Sequence, residues 1–136
     1  MSMNKQKAEA LKKNLQNSNL KNTDLQEADL SNGILIDSYL DNSNLSKADL
    51  CGADLSGARL VNARLHRTIL YRCRAKEADF SNAILTQANL VESNFNSAKF
   101  NNSNLKESNI EGADLTNTDF IKANLSQEIH NFFARL

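Results

Sequence analysis

The chain has 136 residues, 40% hydrophobic and 24% charged, which fits one folded domain and lies outside the disordered range. Sixteen Lys and Arg offset sixteen Asp and Glu, so the chain has neither the basic excess of a nucleic-acid coat nor the acidic excess of a wholesale DNA mimic. Two cysteines, Cys51 and Cys73, are too few for a disulfide scaffold, and no apolar run approaches the roughly 18 residues of a membrane helix.

Residues 1–14, MSMNKQKAEALKKN, lack the apolar core of a secretory signal, so a cytoplasmic location is expected. They predict a short helical lid instead. Ala8, Ala10 and Leu11 would face inward and the lysines outward.

From Leu15 to Leu125 the sequence repeats every five residues. Of the 23 grid positions, 17 are Leu, four are Phe, one is Ile110 and one is Ala75. Two residues before each, from Ser18 to Ala123, stands a small residue: Ala, Ser, Thr, Gly33 or Cys73. We call the large position i and the small one i−2. Five residues advance an α-helix by about 140°, so the leucines would wind around it. In a continuous strand an odd period alternates faces. Yet i−2 and i share a side in extended chain. The backbone must therefore turn a corner once per pentad. Four corners close a coil of about 20 residues, and stacked coils give an all-β square solenoid of about five to six coils.

Residues 20 apart should then stack at about 4.8 Å. Phe80, Phe100 and Phe120 would form an aromatic column in the core. Asn22, Asn42, Asn62, Asn82 and Asn102 would form a corner column, with amides bonded along the axis. At Ala75 the missing bulk would be filled in part by Cys73, left as a cavity, or relieved by a bulge over 71–76. Cys73 is expected to be a small core residue and Cys51 an outward free thiol.

Six basic residues and no acid lie between 59 and 76: Arg59, Arg64, Arg67, Arg72, Arg74 and Lys76. All are in outward positions over nearly one coil, so they should girdle the rod as a belt. This belt is the candidate partner-binding site. The bland expectation is cross-coil ion pairing of Arg59, Arg74 and Lys76 with Asp79, Glu77 and Asp54. Outward Ile34, Ile36, Tyr39, Val61, Ile69, Tyr71 and Ile84 are a second candidate surface, spread over several faces. His66 and His130 fall in different coils without metal-ligand spacing. Asp49 with Asp54, and Asp114 with Asp119, are repeat residues rather than acid–base pairs. No phosphate-loop or nucleophile-elbow motif is present. No catalytic, cofactor or metal site is expected, and the chain is not expected to be an enzyme.

The last segment, 126–136, predicts a helix capped by Ser126. Ile129, Phe132, Phe133 and Leu136 fall on one helical face. It would fold onto the last coil as a lid or serve as a contact between two copies.

Ala28-Asp29-Leu30-Ser31-Asn32, Ala53-Asp54-Leu55-Ser56-Gly57 and Ala88-Asn89-Leu90 resemble the A(D/N)LXX signature of the pentapeptide-repeat proteins. The resemblance implies a right-handed quadrilateral β-helix over 15–125, between an N-terminal cap (1–14) and a C-terminal cap or dimerisation segment (126–136). It also implies dimerisation through the C-terminal segment. Some members of the family mimic DNA and bind DNA gyrase, which makes that role the alternative here. The main expectation is a scaffold or adaptor that presents flat faces to a protein partner. Nucleic acid and membrane are not expected as partners.

Overall fold

The computed structural model describes residues 2–134. The body is a solenoid built from one repeated hydrogen-bonding unit, shown by residues 49–53. The Asp49 N–H donates back to Ala28 at 2.9 Å, and the Leu50 N–H donates forward to Ile69 at 2.8 Å. The Gly52 N–H donates forward to Tyr71 at 2.9 Å, and the Ala53 N–H closes the corner onto the Leu50 carbonyl at 3.0 Å. Each corner thus has a left-handed third residue, the form of a type II turn. All bridges are parallel and join residues 20 apart, as in Asp24 to Asn44 to Arg64 to Ile84 to Asn104. Four such columns run along four faces, centred on the i−1 residues.

One N–H per pentad, at i+1, has no backbone partner. The Asp or Asn at i−1 accepts it. Asp49 Oδ1 takes the Cys51 N–H at 2.9 Å, and Asp54 Oδ1 takes that of Ser56 at 3.0 Å. This bond explains the D/N of the motif: the short carboxyl or amide reaches two residues along its own chain, as an Asx turn does. It also depresses carboxyl pKa values. Asp29 is held at about 2, first by the Ser31 hydroxyl, then by the Ser31 N–H and by Lys12. Gln26 lowers Asp24, and Thr116 lowers Asp114. A carboxyl lowered in the folded state stabilises fully above its unfolded value near pH 4 and loses that contribution as pH falls. Tm should therefore be flat from neutrality to about pH 4 and fall toward about pH 2. In a thermal titration, the triple change Asp24→Asn, Asp29→Asn and Asp114→Asn should make that acid limb shallower. An unchanged limb would show that these caps do not couple to folding.

The core is one column of large side chains per corner. Every i residue from Leu15 to Phe100 is fully buried. Phe80 stacks on Phe100 at 4.9 Å and Phe100 on Phe120 at 5.2 Å, with ring planes within 4° and 11°. The 20-residue column holds. The asparagine column holds as backbone only. Asn22, Asn42, Asn62, Asn82 and Asn102 take φ of 59–62° at the left-handed turn position, which Asn tolerates. Among the described residues no hydrogen bond joins their amides along the axis.

No bulge relieves Ala75. Arg72 keeps its left-handed φ of 55°, and the Ala75 N–H bonds Asn94 at 2.8 Å. The volume is taken from the next coil. Phe95, 20 residues on, lies edge-on to Phe80 at 5.9 Å and to Phe100 at 5.4 Å.

At the N-terminal end, α1 (Lys5–Ala10) starts at Asn4, whose side chain caps the Lys7 N–H. Only Ala8 is buried; Ala10 is exposed and Leu11 is 46% exposed, against the expectation that all three face inward. The helix is too short to present a full stripe. The chain turns at Leu11 into Lys12–Asn14, and the Lys12 carbonyl takes the Ile34 N–H at 2.6 Å. Gly33, the one glycine at an i−2 position, lies beside this crossing. A Cβ there would lie 2.8 Å from the Leu30 carbonyl oxygen of its own turn, 2.9 Å from Leu35 Cδ1 and 3.2 Å from the Lys12 carbonyl oxygen. Gly33→Ala should destabilise by about 1–3 kcal/mol through that overlap. Chemical denaturation checks it, with an unchanged midpoint as the contrary result.

At the other end α2 (Gln127–Ala134) starts at Ser126, whose hydroxyl accepts the Ile129 N–H at 3.2 Å. Ile129 is buried, Phe132 half-buried, and Phe133 lies edge-on to Phe120 at 5.6 Å while 38% exposed. The fourth residue of this expected face, Leu136, lies outside the described residues.

Candidate interaction faces

The six basic residues surround the rod rather than converge. Arg59, Arg64 and Arg74 centre three different faces, while Arg67, Arg72 and Lys76 stand at corners. Three of them are matched by acids. Arg59 Nη2 lies 3.2 Å from Asp41, Arg72 Nε 2.6 Å from Glu92, and Arg74 Nε 3.5 Å from Asp54. The Arg74 partner, Asp54, is one of the three acids expected for this set. Arg59 does not pair with Asp79, whose Oδ1 accepts the Ser81 N–H at 2.9 Å and hydroxyl at 2.6 Å. Asp41 stands at a corner, has no turn to cap and is nearly buried, which leaves it open to Arg59. Glu92 raises the Arg72 pKa and Arg72 lowers that of Glu92, both mainly through their hydrogen bond. Among the described residues Lys76 has no carboxylate partner. The weight of these pairs here is in cancelling charge.

The remaining side is different. Among the described residues Arg64 makes no ion pair and no side-chain hydrogen bond. Arg67 Nε donates to the neutral Gln87 at 2.8 Å, which donates in turn to Glu107 at 3.0 Å. His66 Nδ1 and the Thr86 hydroxyl are hydrogen-bonded at 2.7 Å. Lys47, outside the 59–76 window, stacks one coil before Arg67: the Lys47 N–H bonds the His66 carbonyl at 2.9 Å. Its ammonium is also unpaired among the described residues. The sequence signal for Lys47 was its spacing of 20 from Arg67, not its place in a basic run.

The apolar outward residues do not form one patch. Tyr39, Ile69 and Ile84 are 41%, 39% and 41% exposed, on three different faces. Clefts lie beside α2, one of them lined by Ala113, Leu115, Thr118, Phe132 and Phe133. No group of three His, Cys, Asp or Glu among the described residues could hold a metal ion, and no described helix is long and apolar enough to cross a membrane.

Both cysteines are free. Cys73 is buried, and desolvation pushes its thiol up to about 12. Cys51 is half-buried at a corner. A thiol reagent should therefore label one cysteine in the native protein and both in denaturant. Rapid native labelling of Cys73 would contradict the packing.

A family model for pentapeptide repeats matches the chain in 8 copies, over 12–38, 34–72, 76–112 and 98–127. Among solved structures, the pentapeptide repeat protein Rfr23 from the cyanobacterium Cyanothece 51142 is 32% identical, with a TM-score of 0.64, over 66% of this chain and 60% of that one. This chain thus spans 60% of the length of that relative. HetL, a pentapeptide repeat protein involved in heterocyst differentiation regulation from Nostoc sp. strain PCC 7120, is 26% identical over 81% of this chain and 69% of its own, with a TM-score of 0.43. Full-length QnrB1, a plasmid-mediated fluoroquinolone resistance protein, is 17% identical over 88% and 70%, with a TM-score of 0.36. No curated protein matches. The 20-residue bridge spacing, the capped pentads and the matched repeats together place this chain in the pentapeptide-repeat family, whose members fold as right-handed quadrilateral β-helices.

Proposed function

We propose that the protein is a non-enzymatic scaffold or adaptor that presents flat β-helix faces to a protein partner. The observation that carries this reading is the outward lattice itself. Large side chains such as Tyr39, Ile69 and Ile84 stand well exposed at i−1, on backbone bonded to the coils on both sides. Side chains held on such a lattice lose little ordering entropy when a partner docks. The gyrase-binding DNA-mimic reading has less support, since mimicry needs an anionic surface and the middle of this chain is basic. The test is affinity capture from the source cells with the wild-type chain and with Arg64→Glu/Arg67→Glu/Arg72→Glu. A stoichiometric protein partner on the wild-type bait supports the reading, and loss from the variant assigns it to the basic belt. Capture of no protein by either bait contradicts it.

The same reading includes a homodimer through the C-terminal end, supported by the partly exposed Phe133 beside its apolar cleft. Light scattering should give twice the chain mass for the wild type and the chain mass for Phe133→Ser. A monomeric wild type at high concentration would remove the dimer.

A further inference from the structure

We infer that the recognition surface is one face, centred on Arg64 with Lys47 and Arg67 at its edge, and that its partner is an acidic, carboxylate-rich protein segment. The inference rests on the display reading and deepens it by naming the face and the chemistry of its ligand. The face is the column Asn44, Arg64, Ile84 and Asn104, bridged in parallel. Along one edge runs the corner holding Lys47, His66 and Arg67. Along the other run the left-handed Asn42, Asn62 and Asn82.

Three observations single it out. First, the belt is cancelled elsewhere and left open here. Arg59, Arg72 and Arg74 each pair with an acid, whereas Lys47 and Arg64 make no ion pair among the described residues, Lys47 even though Glu27 stacks one coil before it. Second, Arg67 is positioned without being neutralised. Gln87 uses only its Nε, so both Nη groups are left to form the paired bonds that a carboxylate accepts. Third, the surroundings suit a peptide rather than a nucleic acid. Ile84, 41% exposed, lies directly beside Arg64 and offers an apolar contact. The asparagine amides offer both donors and acceptors to a backbone. The face and its two corners from 41 to 107 hold no Phe, Tyr or Trp, whereas single-stranded nucleic acid is held largely by aromatic stacking.

The test is fluorescence anisotropy of a labelled glutamate-rich peptide and of a labelled oligonucleotide of equal charge, titrated with the full chain at low and moderate salt. One variant carries Lys47→Ala, Arg64→Ala and Arg67→Ala. A control carries Arg72→Ala and Arg74→Ala, cations whose acids, Glu92 and Asp54, lie away from this face. Thermal melts establish that both variants fold. The expected result is peptide binding that weakens about tenfold in the first variant and stays within about twofold in the control. Equal weakening in both, no peptide binding at low salt, or tighter binding of the oligonucleotide would each overturn the inference. Affinity capture separates this failure from that of the display reading. A stoichiometric partner retained by the Lys47/Arg64/Arg67 variant would leave display standing on another face, and this face would be excluded.

Discussion

Replacing Phe100 by alanine should lower the unfolding free energy by about 3–5 kcal/mol, the upper range for a buried aromatic. Its ring is fully buried between Phe80 and Phe120, with Phe95 edge-on at 5.4 Å. Three aromatic contacts are lost at once. The coils on either side are pinned by their own backbone bonds, so the cavity cannot collapse. A mid-rod Leu60→Ala should cost about 2–5 kcal/mol by the same argument without the ring contacts. In a solenoid each coil touches only its neighbours, so Phe100→Ala also weakens the coupling of the last coils to the rest. Urea unfolding should show a lower midpoint for Phe100→Ala, and a reduced m-value if the C-terminal coils melt first. A midpoint within error of wild type would mean that the aromatic column does not carry the core.

Restoring the consensus at position 75 should harm the protein. Leucine stands at most grid positions, yet Ala75→Leu is expected to destabilise by about 1–3 kcal/mol by overpacking. The space is already filled by Phe95, fully buried one coil on. Phe95→Leu alone should leave a void and also destabilise. The double variant Ala75→Leu/Phe95→Leu should recover a large part of the sum, because the two side chains share one volume. Additive losses in this cycle would show that Ala75 and Phe95 are packed independently.

Backbone geometry was legible in the sequence because the repeat is its direct cause. The inward i and i−2 positions, the 20-residue spacing and the phenylalanine column all follow from counting residues. Side-chain partners were less legible, since each depends on what else a group already bonds. Asp79 is the natural neighbour of Arg59 by spacing, yet the guanidinium bonds Asp41, 18 residues back at a corner. The asparagine column is real, yet its cause is the left-handed turn and not amide pairing. The basic belt was visible as a run of residues. Its asymmetry was not, because Lys47 joins it through the stack and three arginines leave it through acids in other coils.

The central claim is that outward side chains are held on a pre-formed, rigid lattice. Native-state hydrogen exchange tests this most directly. Amides at i, i+2, i+3 and i−1 between about residues 30 and 105 are tied across coils or across turns, so they should open only with global unfolding and share one opening free energy. The i+1 amides should be protected where Asp or Asn caps them, as at Cys51 and Ser56, and exchange faster after Arg64, where no such cap exists. Fast local exchange throughout 59–76, with the flanking coils protected, would show a flexible middle and contradict the account.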